Sequence, residues 1–304
     1  MVQLIQRRGW WYFFSGLLAV AGAVALSLWG LRFGLDFTGG SLMAVDFKGT
    51  RPSVDAIQKS LEPLSLGTVV VQPTGSNGEL IRFRDVTEET HQQILEKLKT
   101  TGGGEVAELR FESVGPIIGS ELRSSSMWAI VLALFFIVSY IAWAFRKVSR
   151  PVASWKYGVV AVVALVHDLL ITVGVFSFLG HFYGVEVDAL FVSAILTVLG
   201  FSVHDTIVVF DRTRENLFRG AAGTFEDVVN KSVNETLVRS INTSFTTLLV
   251  LSALYLFGGD SIKHFTLALL VGIAVGTYSS IFVASPLIVD WNHWSNPQVA
   301  KARK

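Results

Sequence analysis

Six stretches of this sequence are too long and too apolar for a water-exposed surface, and they fix what the chain can fold into. They are residues 10–31, 127–145, 158–180, 189–210, 240–257 and 265–289, interrupted by His167 and Asp168 in the third and by His204 and Asp205 in the fourth. A hydrocarbon core about 30 Å thick needs roughly 20 apolar residues in a helix, the simplest structure that satisfies its own backbone there. The pattern predicts six transmembrane helices, with Trp and Tyr at several ends as interfacial anchors. The 304 residues are 51% hydrophobic and 16% charged, which excludes a soluble two-domain protein. Lys and Arg number 25 against 24 Asp and Glu, so no overall basic field invites nucleic acid. Without cysteine, disulfides, Cys-ligated zinc and thiol catalysis are excluded. The first stretch follows Arg7 and Arg8 as a signal peptide would, but it exceeds the roughly 7–15 residues of such a core and no clear cleavage site follows, so a retained span is expected.

Orientation follows from Lys and Arg in the connections. Residues 146–157 hold Arg146, Lys147, Arg150 and Lys156; residues 211–239 hold Arg212, Arg214, Arg219, Lys231 and Arg239; the tail holds Lys301, Arg303 and Lys304. The opposite connections are nearly bare, with none in 181–188 and only Lys263 in 258–264. Both termini are therefore expected in the cytoplasm. The expected organisation is a cytoplasmic N-terminus and first helix over 1–31, an extracytoplasmic domain over 32–123, helices two to six over 124–290, and a basic cytoplasmic tail over 291–304.

Inside 32–123 the periodicity switches between strand and helix. Residues 41–47 alternate apolar and polar, 53–61 read as a short helix, and 68–71 and 79–84 read as strands. Thr87 opens a second helix in a capping-box pattern with Thr90 in place of the usual acid, and Ile94, Leu95 and Leu98 form its apolar stripe. A strand over 106–111 completes β-α-β-β-α-β, the order of an α+β ferredoxin-like sandwich with both helices on one face. His91, His181 and His293 are isolated and are expected on the surface. Gly102 to Gly104 lack a following lysine and are read as loop.

The candidate site lies where lipid should be. An aspartate at mid-membrane costs about 2.5–3.5 kcal/mol on insertion scales, so each one needs a reason. His167-Asp168 falls near the centre of the third span, and His204-Asp205 five residues before the end of the fourth, about 7.5 Å along the axis. Desolvation and nearby cations can tune such a carboxyl to take up and release a proton; the plainer alternative is a hydrogen-bonded structural role. On the fifth span Arg239, Asn242, Thr243, Thr246 and Thr247 share one helical face, and on the fourth Ser193, Thr197, Gly200 and His204 share another. The two stripes are natural partners. Arg239 could equally snorkel to the cytoplasmic surface. Gly272 and Gly276, continued by Ser280, form a close-packing face in the sixth span, and Gly200 is expected in a packing role in the fourth. Residues 211–216 carry opposite charges three apart and are expected to extend the fourth helix. Adjacent His and Asp point apart on a helix, which argues against a metal site.

Four motifs carry a family resemblance. They are Phe33-Gly34-Leu35-Asp36-Phe37-Thr38-Gly39-Gly40 after the first span, Leu165-Val166-His167-Asp168 in the third, Gly200-Phe201-Ser202-Val203-His204-Asp205-Thr206-Ile207-Val208-Val209-Phe210-Asp211-Arg212-Thr213-Arg214-Glu215-Asn216 across the fourth, and Tyr255-Leu256-Phe257-Gly258-Gly259 after the fifth. The sequence resembles the SecF family, the smaller membrane subunits of the bacterial SecDF protein-translocation accessory, which are similar to the resistance-nodulation-division exporters. The resemblance implies half of a twelve-helix unit in the inner membrane. It implies SecD as the other half, with the SecYEG channel, translocating preproteins, YajC and YidC as further partners beside the lipid bilayer.

It also implies a transport subunit and not an enzyme, without cofactor, in which protons are the coupling ion for late preprotein translocation. By the same resemblance Asp205 and Arg239 form the proton-relay pair, with His204, Asp168 and Thr243 as further members. The family often has asparagine before this aspartate; here His204 stands there, able to join the relay or simply to donate a hydrogen bond. In the expected cycle ionised Asp205 pairs with Arg239, and a proton neutralises the carboxyl and releases the arginine. The motif at Gly34, Asp36, Gly39 and Gly40 would then serve as a hinge or a tight turn below the outer domain. The competing readings are a passive assembly subunit and an intramembrane hydrolase, for which no serine in a suitable turn accompanies His167 and Asp168.

Overall fold

A computed structural model describes residues 2–49, 51–144 and 152–295, the side chain of Ser154 excepted. Arg146, Lys147, Arg150 and the tail cations Lys301, Arg303 and Lys304 lie outside the described residues. The chain divides into two compact units, Phe33–Met127 and the remainder.

The remainder is helical. Its elements are α1 (Arg8–Trp29), the greater part of α5 (Pro116–Ala144), α6 (Ser154–Tyr183), α7 (Ala189–Phe218), α8 (Phe225–Phe257), α9 (Asp260–Ser279), a π turn (Ser280–Ala284) and α10 (Ser285–Ser295). Among the described residues, six helices are long and apolar enough to cross a membrane, the sixth running as Asp260–Ser295. This is the expected polytopic architecture. The ends have local causes. The Asp188 carboxylate accepts from the Phe191 N–H at 2.8 Å to cap α7. Thr224 and Asp227 form a reciprocal capping box at the start of α8. That box, with Phe225, Val228, Val229 and Val233 buried behind it, carries α8 well ahead of the apolar run that begins at 240. Helix α7 runs on to Phe218, with Asp211 paired to Arg214 at 3.1 Å and Arg212 to Glu215 at 2.6 Å.

Pro286 explains the π turn. It has no N–H for the Phe282 carbonyl four residues back, so the backbone widens just before it, and the Ser285 hydroxyl donates to the Ser280 carbonyl at 2.8 Å. Small residues set the helix contacts. A Cβ on Gly272 would run into the Val198 methyls and one on Gly276 would lie 2.8 Å from Ser202 Cβ, so α9 rides directly on α7. Gly22 and Gly174 cross in the same way between α1 and α6, a contact absent from the sequence reading. Gly200, expected in a packing role, borders open space. It lies on the exposed side of α7, and among the described residues nothing packs on it.

The first residues are fastened to the bundle. Asn230 accepts from the Leu4 and Ile5 N–H groups at 3.0 and 3.3 Å. Arg8 meets Asp290 at 2.8 Å and the nearly inaccessible Glu226 at 3.3 Å.

In the second unit α2 (Leu35–Thr38), β1 (Gly40–Phe47), α3 (Val54–Leu61), β2 (Val70–Thr74), β3 (Gly78–Phe83), α4 (Glu88–Gly102) and β4 (Val106–Val114) follow in order. The sheet is antiparallel in the order β2-β3-β1-β4, the ferredoxin-like arrangement, with a register irregularity between Ala44 and Val45. Met43, Val45 and Phe47 of β1 and Ile81 and Phe83 of β3 face Ile57, Leu61, Ile94 and Leu98 of the helices. Glu79, also on that face and fully buried, meets Arg51 Nε at 2.7 Å.

Two expectations in this unit need correction. Thr87 makes no side-chain bond to the helix backbone, because its hydroxyl lies 3.3 Å from that of Thr90, the residue standing where an acid would complete the box. His91 is buried and not on the surface: it stacks on Phe111 at 3.8 Å and reaches Glu88 at 3.2 Å and Glu108 at 3.1 Å. In the glycine motif Gly34 is extended, whereas Gly39 and Gly40 have φ of +69° and +112°. A Cβ on either would lie within 3 Å of backbone, at Pro116 or Phe83. The motif is a tight turn into β1 that only glycine accommodates at those two positions.

Candidate functional site

The two intramembrane carboxyls sit in different surroundings. Asp168 of α6 is wholly inaccessible and its oxygens are covered by donors. Ser202 of α7 and Ser279 of α9 donate to Oδ2 at 2.6 and 2.8 Å, and His167 Nδ1 lies 3.0 Å from Oδ1. Beside this knot the Thr206 and Ser280 hydroxyls meet at 2.7 Å, with the Gly276 and Ser202 carbonyls 2.9 and 3.3 Å from the Ser280 hydroxyl. Three helices and the edge of the π turn are thus joined around one carboxyl. Buried polar groups this fully bonded fix helix register.

Asp205 is 7% exposed and has one hydrogen bond, from the Ser240 hydroxyl on α8 to Oδ1 at 2.5 Å. Its Oδ2 has no partner. The carboxyl borders a cavity of about 140 Å³ lined by Phe201, His204, Val208, Arg239, Ser240 and Thr243. Arg239 and Val208 also border a wider cavity of about 510 Å³, which runs past Thr236 to Asp211, Arg212, Arg214 and Glu215. The site therefore holds an acid with a free oxygen, space for water beside it, and a guanidinium placed between that space and a charged outer pocket.

Asp205, Arg239, His204 and Thr243 are brought together; Asp168 is not among them. The direct Asp205–Arg239 ion pair expected from the sequence is absent, since the group bonded to the carboxyl is Ser240. Consecutive residues are about 100° apart around a helix, so with Ser240 turned inward Arg239 stands at the rim, where it is exposed. The same rotation corrects the paired stripes. The buried face of α8 holds Ser240, Ser244 and Leu251, while Asn242, Thr243 and Thr246 are exposed, as are Ser193, Thr197 and His204 on α7. The stripes do not bury each other.

The SecD/SecF C-terminal model of protein export membrane proteins matches residues 93–294, two-thirds of the chain, and the SecD/SecF GG motif matches 30–50. The chain belongs to the SecF family. Relatives described as protein translocase subunit SecF include that of Thermobaculum terrenum, 45% identical with 96% of this chain and 95% of the relative covered. That of Anaerolinea thermophila is 37% identical, covering 97% and 96%. The crystal structure of SecDF from Thermus thermophilus, described as a translocon-associated membrane protein, superposes with a TM-score of 0.78 at 33% identity over 95% of this chain. A SecDF structure in the super-membrane-facing form gives 0.68 at 32% identity over 98%. This chain spans 38% and 40% of those two chains. In this SecF-family chain Gly39 and Gly40 of the matched motif are the left-handed positions at the entry to β1, Gly40 being its first residue.

Sequence reasoning missed Ser240, Ser202 and Ser279, the hydroxyls that tell the two carboxyls apart. Serines are common in spans, and periodicity says which share a face without saying which face is buried. One available signal was Pro286 inside the sixth span, with Ser279 and Ser280 one to two turns before it.

Proposed function

We propose that the chain is the SecF half of a SecDF-type accessory in the bacterial inner membrane. With SecD, and in association with SecYEG, it draws on the proton gradient to promote late preprotein movement; YajC and YidC join the same assembly. Both termini are cytoplasmic and residues 32–123 lie outside. The chain catalyses no reaction on a substrate, takes no cofactor, and has protons as its coupling ion.

The observation that carries this reading is the unbonded Asp205 Oδ2 beside a cavity shared with Arg239. A proton reaching that oxygen neutralises the carboxyl and ends its attraction for the guanidinium. The proton then leaves past Arg239 and Val208 toward the wider pocket, and the charged state is restored. Each charge crossing the membrane potential is worth about 2.3 kcal/mol per 100 mV, enough to bias two helix arrangements a few kcal/mol apart. Asp168, with donors on both oxygens, holds helices together in this scheme and stays outside the relay.

The test is gradient-dependent export in membrane vesicles carrying Asp205→Asn. The relay predicts an intact SecD complex that has lost gradient-driven export. Unchanged export, or a complex that falls apart, favours a passive assembly subunit instead.

A further inference from the structure

Most bonded hydroxyls of α8 follow a common habit, while Ser240 and Ser244 reach across to neighbouring helices, and of these two only Ser240 meets a carboxyl. Inside a span a Ser or Thr side chain usually donates to the carbonyl one turn back. Ser232 does so to Val228 at 2.8 Å, Thr236 to Ser232 at 3.0 Å, Thr246 to Asn242 at 2.9 Å and Thr247 to Thr243 at 2.9 Å. Ser240, 2% exposed, sends its single proton across to Asp205 Oδ1 and has no bond to its own helix. Of the two carboxyl oxygens only the other, Oδ2, is left unbonded.

We infer that Ser240 is the positioning residue of the Asp205 site: by occupying Oδ1 it dedicates Oδ2 to proton exchange with the cavity. This rests on the reading of Asp205 as the proton carrier. A proton adds to Oδ2, an O–H bond forms and the carboxylate becomes a neutral acid; the same bond breaks when the proton leaves. A serine suits both states, because its hydroxyl donates to a carboxylate and to the carbonyl oxygen of the acid alike. Alanine removes the donor. Threonine keeps it, with one methyl more.

The closing experiment uses the chain reconstituted with its SecD partner. Infrared difference spectra between acid and neutral pH show the carbonyl stretch of the protonated carboxyl, assigned to Asp205 by its loss in Asp205→Asn. Ser240→Ala is expected to move that band to the higher frequency of a carbonyl without a hydrogen bond. Gradient-driven export is expected to fall about tenfold, the scale of one hydrogen bond to a charged group. Ser240→Thr restores both. A Ser240→Ala band at the unmodified frequency overturns the inference about Ser240 and leaves the carrier reading standing. Absence of any Asp205 band, with normal export in Asp205→Asn, overturns the carrier reading itself.

Discussion

Replacing Asp168 by Ala should cost the bundle more stability than the same change at Asp205, although Asp205 is the residue assigned to export. Asp168 accepts from Ser202 at 2.6 Å, Ser279 at 2.8 Å and His167 at 3.0 Å, tying α6 to α7 and α9. Hydrogen bonds between helices in a bilayer are worth about 0.6 kcal/mol on average and about 1.7 at most. The two that run between helices come to roughly 1–3 kcal/mol when lost together, allowing for the Ser279 hydroxyl, which can turn its proton to the Gly276 carbonyl 3.1 Å away. Asp205 loses a single bond, and its removal also relieves the burial of a carboxyl with one unbonded oxygen, so its net change should fall within about 1 kcal/mol of zero. Reversible unfolding in mixed micelles reads both variants on one scale, with Asp168→Asn, which keeps an acceptor, falling between them. The reasoning is refuted if Asp205→Ala is the more damaging change, or if Asp168→Ala is silent.

Three other outcomes follow from the same structure. Arg51→Ala leaves Glu79 buried without its cation and should destabilise the Phe33–Met127 unit by roughly 3–5 kcal/mol, seen as faster limited proteolysis there in the intact chain and recovered by Glu79→Leu. Gly174→Leu forces α1 from α6 at the Gly22 crossing and should cost about 1–3 kcal/mol or more, whereas Gly16→Leu, with open space over it, should be near neutral in the same unfolding assay. The 2.7 Å bond between Lys48 and Glu105 holds the Glu105 carboxyl below its ordinary range and the Lys48 ammonium above its own. Glu105's share of stability is complete above the ordinary carboxylate range and fades as pH falls through its lowered value; Lys48's is complete below the ordinary lysine range and is lost as pH rises through its raised one. Both groups are on the surface, so the effect on stability is small; Lys48→Ala is checked by carboxyl NMR, where Glu105 should titrate back in the ordinary range.

How much of this was legible follows from what each signal measures. Length and lack of charge locate spans because the bilayer imposes both, and all six were found, but α5 starts at Pro116, ahead of the apolar run at 127, and α8 at Phe225, where a capping box that an apolar scan passes over sets its amphipathic start. The alternation of 41–47 with 79–84 gave the sheet its order, and β4 ran three residues beyond its predicted end because its pairing with β1 continues to Gly40 opposite Val114. Asp205 was legible as an acid where acids are costly. Its true bonding partner was not. Arg239 and Ser240 are neighbours in sequence, and only the rotation of α8, fixed by packing along the whole bundle, decides which faces inward. The Asp168 knot was equally hidden, since its donors come from helices 34 and 111 residues away.

The most direct measurement of the central claim is the ionisation of Asp205 itself. In proteoliposomes holding the chain with SecD, infrared spectra recorded before and after a proton gradient is imposed should show the Asp205 carboxyl band appear and decay, while the band of Asp168 stays fixed. A carboxyl at 205 that keeps one ionisation state whatever the gradient contradicts the account.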